Sequence, residues 1–217
     1  TRGDSRYGGR FENRSRFLLE TIRRIRRDSP SLLLTSRLSV ADMIPFPFGF
    51  GMSPEVPGET DFSEVKRLAA ALSREGVRIL AYSMGIPARQ AHYGRPFDKP
   101  VPGGSTPPEH PLEGVARHLR LAAALQEGAP GVAVVGAGYS WLRRFFPNVG
   151  AAMIGAGKTA IIGQGRGALA YPDFARDLAD KGRLEARKTC TTCSLCSHLL
   201  RQQKKVGCPI RDKAYHD

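Results

Sequence analysis

The sequence predicts an α/β protein with a parallel sheet: the second half of an eight-stranded (β/α)8 TIM-type barrel, about four βα units, followed by a cysteine-rich tail. Three observations predict it. Helical and strand-like segments alternate strictly after an opening helix. Parallel strands need crossover connections, so this alternation implies right-handed βαβ units with functional loops at the strands' carboxyl ends. A whole barrel takes roughly 250 residues, whereas these 217 residues begin on a helix and supply half the strands. The third observation is that all four cysteines fall between Cys190 and Cys208.

Each element follows in turn. Phe11, Leu18, Ile22 and Ile25 recur at helical spacing, and Pro30 forbids continuation far beyond Asp28. SLLLTSRLS has the length of a buried strand and runs into the Pro/Gly/Phe-rich loop MIPFPFGFGMSPEVPGE, which has no period. Asp61 with Glu64 has the spacing of a capping box, opening a helix with Phe62, Val65, Leu68, Ala69 and Leu72 on one face. VRILAYS is the next strand, and a second long loop runs from Met84 to about Pro111. Helix LEGVARHLRLAAALQEG, strand GVAVVGA, helix SWLRRFFPNVGAAMIGAG and strand TAIIGQG complete the alternation. The opening TRGDSRYGGR has neither Met nor the basic-then-apolar profile of a secretory signal, so the amino-terminal half-barrel is expected upstream.

Lys and Arg outnumber Asp and Glu 33 to 20, a net charge of +13 that would draw phosphate-bearing partners. Acids interleave with these bases over most of the chain, which favours a scattered surface excess. The densest cluster, Arg23, Arg24, Arg26 and Arg27, sits where cations suit a helix carboxyl end. No apolar run approaches the eighteen residues of a membrane span, so no membrane partner is expected.

Among short motifs, VAVVGAGYSW fails as a dinucleotide fingerprint because Trp141 stands where the third glycine belongs. AMIGAGKT fails as a P-loop, since Ala152 replaces the first glycine and the Lys-Thr pair precedes a strand instead of opening a helix. GQGRGAL is better placed: a strand ends there and a helix follows, so the amides of Gly165 and Arg166 and the Arg166 guanidinium could hold a phosphate. Arg37 ends an apolar strand, where a barrel points charge into its site; a salt-bridged Arg is the equal alternative. His92, in the loop SMGIPARQAHYGRPF, is placed to be a proton donor or substrate clamp, or is a bystander.

Cys190, Cys193, Cys196 and Cys208 are separated by two, two and eleven residues. Thiolates two residues apart can converge on one metal or cluster, and a fourth completes the ligand set. Disulfides need an oxidising compartment, of which nothing here gives a sign, so a cytoplasmic location is expected. Zinc ribbons use two separated C-x-x-C knuckles, whereas C-x-x-C-x-x-C with a distant Cys-Pro fits a four-iron cluster. Zinc remains the alternative, and with the charge it would make a basic module that binds nucleic acid. That alternative leaves the βα alternation unexplained.

DSRYGGRFENRSRFLLETI resembles the segment R-x-D-x-YGG-x-x-ENR-x-R-F of the Old Yellow Enzyme family of flavin oxidoreductases. In that family the segment joins the fourth strand to the fourth helix of an FMN-binding barrel, so the resemblance covers essentially all 217 residues. It implies that residues 1–182 are the carboxyl-terminal half of that barrel and residues 183–217 a cluster-binding tail. RLS at Arg37–Ser39 is similar to the fifth strand end, whose arginine approaches the flavin's N1 and C2 carbonyl edge. VVGAGYSWL and GQGRGALAYPDF resemble the seventh and eighth strand ends, which makes Gly136, Ala137, Gly165 and Arg166 the implied FMN phosphate site. Ala137 and Arg10 depart from the family's usual residues.

CTTCSLC with CPIRD resembles the branch typified by trimethylamine dehydrogenase and dienoyl-CoA reductase, implying a 4Fe-4S cluster on Cys190, Cys193, Cys196 and Cys208. His92 lies in a stretch comparable to one whose histidine helps activate an enone carbonyl. The implied activity uses NAD(P)H to reduce flavin and delivers hydride to an activated alkene or related small-molecule acceptor. A homo-oligomer is the expected full-length state. The family's substrate histidines and proton-donating tyrosine lie upstream of residue 1.

Overall fold

The computed structural model describes residues 3 and 5–216, so Asp4 of the YGG motif lies outside the described residues. Four strands form one parallel sheet in the order β1-β2-β3-β4, with β1 at Thr35–Ser39, β2 at Ile79–Ser83, β3 at Ala133–Gly136 and β4 at Ile161–Ile162. Strand order follows chain order because each crossover carries a helix to the same side. α1 spans Phe11–Asp28, α2 Ser63–Arg74, α3 Ala91–Gly94, α4 Pro111–Gly128 and α5 Phe146–Gly155. α6 covers Arg166–Ala170, α7 Phe174–Lys181 and α8 Leu195–Arg201. This is the expected half-barrel arrangement.

The period-two alternation of the strands decides which side is core. Leu38, Leu80, Tyr82 and Val134 are buried against Ile22 of α1, Val65, Leu68, Ala69 and Leu72 of α2, and Leu121, Ala122 and Leu125 of α4. Burying each large apolar side chain there contributes about 1.5–3 kcal/mol. The intervening strand residues point the other way. Register aligns Arg37 with Ala81, Ala81 with Val135 and Val135 with Ile161, one row across the face that a closed barrel turns inward. That row is open here: Arg37 is exposed and Ile161 is 41% exposed.

Several boundaries differ from the sequence expectation. The segment SWLRRFF is a 3-10 turn, Tyr139–Phe145, before α5 begins, because Gly138 at φ 93 and Arg143 at φ 53 break the helical path and Pro147 lacks a donor. β4 shrinks to two residues, since it pairs only with β3. The capping box at Asp61 does not close: Asp61 accepts from Ser63, while Glu64 pairs with Arg14. A capping box forms instead at His110 with Glu113, opening α4.

The long loop after β1 is also ordered. Asp42 accepts from Ser39 Oγ at 2.9 Å and from the Phe50 amide at 3.0 Å, and Met52 bridges Thr60. Gly51 sits at φ 70 with its Cα against the Val40 carbonyl; a Cβ would lie 1.9 Å from that oxygen, so a side chain cannot be accommodated. The arginines at the end of α1 are largely paired, Arg23 with Glu75 and both Arg24 and Arg27 with Asp28. No helix among the described residues is long and apolar enough to cross a membrane.

Candidate functional site

A parallel sheet puts all its carboxyl ends on one rim, and there the unsatisfied polar atoms collect. Arg166 opens α6 immediately after β4; its Nη2 donates to the Pro96 carbonyl at 2.8 Å, while its Nη1 is buried without a partner. Gln164 Oε1 accepts from Ser140 Oγ at 2.9 Å, and the same hydroxyl accepts from the Gly167 amide at 3.3 Å. Gln164 Nε2 is buried and unpaired. A buried donor without an acceptor costs about 1–3 kcal/mol. Two such donors flanking Gly165 fit an anion that the protein is built to receive.

Gly136 ends β3 beside Gly163, which approaches so closely that a Cβ on Gly163 would lie 2.8 Å from the Gly136 carbonyl. Ala137 packs on the main core. Gly136 and Ala137 therefore stand one strand from Gly165 and Arg166. Arg37 does not join them: it lies on β1, three strand spacings away, about 14 Å at the usual inter-strand distance. This separation suits an elongated ligand with its anionic end at β4 and its other end near β1.

Burial acts on the remaining polar groups near the rim. Tyr139 and Tyr82 both carry buried, unpartnered hydroxyls, and burial pushes Tyr139 up to about 12 and Tyr82 higher still. His92, on the short α3, has a buried Nε2 with no partner and a ring 4.3 Å from that of Tyr93. Burial pulls its pKa down, opposed by Glu109 and reinforced by Arg117. His92 therefore faces the loop between β2 and α4, apart from the Gly136 and Gly165 pair. His118 of α4 is wholly buried against Tyr82, and burial holds it down to about 4, with the Tyr93 backbone pulling the other way.

The tail folds back onto this rim. All four cysteines are free and partly buried. Cys190, Cys196 and Cys193 lie near enough to Arg166 to raise its pKa against the burial that lowers it, and Cys190 also senses Cys196 and Cys208. Burial raises the Cys190 thiol, while its sulfur accepts from the Thr192 amide at 3.3 Å. Thr192 and Ser194, both buried, occupy the left-handed region at φ 53 and φ 62. For a β-branched residue that conformation costs on the order of 1–3 kcal/mol and marks a loop held in place for a purpose. Among the described residues no three His, Cys, Asp or Glu side chains gather to hold a single metal ion.

Asp98 holds the cysteine loop. It accepts from Trp141 Nε1 at 2.7 Å, from Arg143 and from Thr192 Oγ1 at 3.1 Å, while its amide donates to Thr192 Oγ1 at 3.2 Å. Arg95 donates to Ser197 Oγ at 2.7 Å and Arg211 to the Thr189 carbonyl at 2.9 Å. Sequence reasoning missed Asp98, Arg95, Gln164 and Ser140. The available signal was their place in loops that follow strand ends.

No protein-family model matches the chain. Over 205 residues, 94% of the chain, it is 26% identical to the bilirubin reductase of Mediterraneibacter gnavus. It is 37% identical over 81 residues to the NADH oxidase of Thermoanaerobacter brockii. A 2-naphthoyl-CoA reductase, solved with 2-naphthoyl-CoA, shares the fold over 98% of the chain with a TM-score of 0.65 and 20% identity. These relatives are of the Old Yellow Enzyme-like NADH:flavin oxidoreductase type, and this chain resembles them. It spans 28% of the length of the bilirubin reductase and of the structural neighbour, and 11% of the NADH oxidase. The structure is thus a partial barrel of that family's type, with the cysteine loop against its rim.

Proposed function

We propose that this chain is the carboxyl-terminal part of an NAD(P)H-dependent FMN oxidoreductase, cytoplasmic and ene-reductase-like, with a 4Fe-4S cluster in its tail. The observation that carries the reading is Arg166: a guanidinium buried at the eighth-strand position, one nitrogen unpaired, with three cysteines around it. The relatives are named as reductases and an oxidase, which supports this reading and gives the zinc and nucleic-acid alternative no support.

Gly165 and Arg166, with the backbone of Gly136 and Ala137, would hold the FMN phosphate; Gln164 Nε2 is a further donor for it. Arg37 presents an exposed cation on the inward face of β1, where it would stabilise negative charge on a reduced ring. Cys190, Cys193, Cys196 and Cys208 would hold the cluster. FMN supplies hydride transfer when bound, and a cluster supplies single-electron transfer. His92, whose pKa burial lowers, would donate a hydrogen bond to an acceptor carbonyl. Residues 1–182 form the half-barrel in this reading and residues 183–217 the cluster tail.

The test is the colour of the full-length protein purified without oxygen. Flavin bands with broad absorption bleached by dithionite are expected. A colourless protein that holds only zinc overturns the proposal.

A further inference from the structure

A second polar cavity, separate from the residues assigned to flavin phosphate, opens between the loop that follows β2 and the end of α8. Its volume is about 390 Å³. Its polar lining includes Arg89, Gln90, Arg95, Arg201 and His92 with two hydroxyl residues, and no Asp or Glu contributes. Prolines make much of the remaining wall, so the shape is largely preset.

Among the described residues none of the three arginines is in an ion pair. Elsewhere on the molecule arginines beside carboxylates are common, as at Arg23, Arg117 and Arg143. Arg95 is half-buried and Arg89 and Arg201 are exposed, so an anion entering the cavity would meet three cations that no carboxylate neutralises. Burial, and after it the charges of Arg166 and Arg201, lower the Arg95 pKa to about 10, with Cys196 acting the other way. Its Nη1 is pinned by Ser197 Oγ at 2.7 Å, which orients the guanidinium in advance. His92 adds a buried Nε2 that no protein atom satisfies.

We propose that this cavity is an oxyanion pocket that binds the phosphate or carboxylate tail of a reactant through Arg89, Arg95 and Arg201. Planar guanidinium groups pair with both anions through two parallel bonds. The role as a reactant pocket rests on the flavoenzyme reading; the anion site itself does not. His92 lies in the same wall, so the tail and the proposed carbonyl contact would be recognised from one loop.

The probe is inorganic pyrophosphate, titrated calorimetrically into the holoenzyme at low salt. Arg89 and Arg201 are exposed, so Arg89→Gln and Arg201→Gln are expected to fold, and each should weaken binding roughly tenfold, with Arg201→Lys retaining much of it. Unchanged affinity in the Arg89→Gln, Arg201→Gln double variant overturns the pocket, and if flavin is still bound the flavoenzyme reading survives. Arginine-dependent binding by a protein that takes no flavin overturns that reading and leaves the anion site standing. Steady-state kinetics separate the sources. A higher KM for NAD(P)H with a neutral acceptor unaffected assigns the pocket to the dinucleotide. A higher KM for a carboxylate-bearing acceptor, and not for its amide, assigns it to the acceptor. If neither KM moves, the reactant role is overturned.

Discussion

Arg166 and His118 show how burial turns a side chain into a functional or a structural group. Arg166 keeps one nitrogen on Pro96 and leaves the other unpaired, which suits the phosphate proposed for it. Arg166→Ala should release FMN and leave iron in place, whereas Cys193→Ala should lose iron and leave flavin largely bound; flavin and iron content measured together check both. His118 also has both ring nitrogens buried without a partner, and its ring packs edge-on against Tyr82. Its folded pKa of about 4 lies below the unfolded value near 6.5, so the unfolded chain binds the extra proton first. Stability from this group is full above pH 6.5 and falls as pH drops towards 4, by about 3 kcal/mol in all. His118→Leu should flatten that part of the profile, as read by denaturant melts between pH 4 and 7. Gly138 beside it must stay glycine: a Cβ there would lie 2.6 Å from the His118 ring, at φ 93.

The elements divide between those built by local rules and those built by contact. α1 is of the first kind, because helical spacing and Pro30 suffice to place Phe11–Asp28. The cysteine loop is of the second. Its left-handed Thr192 is held by Asp98, which lies 94 residues away in the chain. Asp98→Ala removes the acceptor for Thr192, Trp141 and Arg143 at once. The expected result is a local loss of about 1–3 kcal/mol, with faster amide exchange at Thr192 and little change in α2 or β2. Equal acceleration in the core helices would show instead that Asp98 supports the whole fold.

In the molecule as a whole, the helix side of the sheet is finished and the inward side is not. Leu72, Leu80 and Leu125 are fully buried, whereas in the row Arg37, Ala81, Val135 and Ile161 the two ends are exposed and the middle is only partly covered by the described residues. β1 and β4 each leave one edge without a neighbouring strand in the described sheet. Unpaired edges and an open inner face favour association. Residues 1–217 expressed alone should therefore self-associate in sedimentation velocity and lack a sharp melt. A monomer with a cooperative melt would contradict that expectation.

The amino-acid order by itself determined the βα alternation, the parallel sheet, the core face of α2, and the two-two-eleven cysteine spacing. These follow from periodicity and local chemistry, which act over a few residues. Only the tertiary structure decided that Arg166 stands among three cysteines, that Asp98 anchors their loop, and that Arg89, Arg95 and Arg201 share a cavity without a carboxylate. The physical reason is distance along the chain. Loops of no fixed period bring these groups together, and their charges and unpaired donors gain meaning from burial, which no short stretch of sequence specifies.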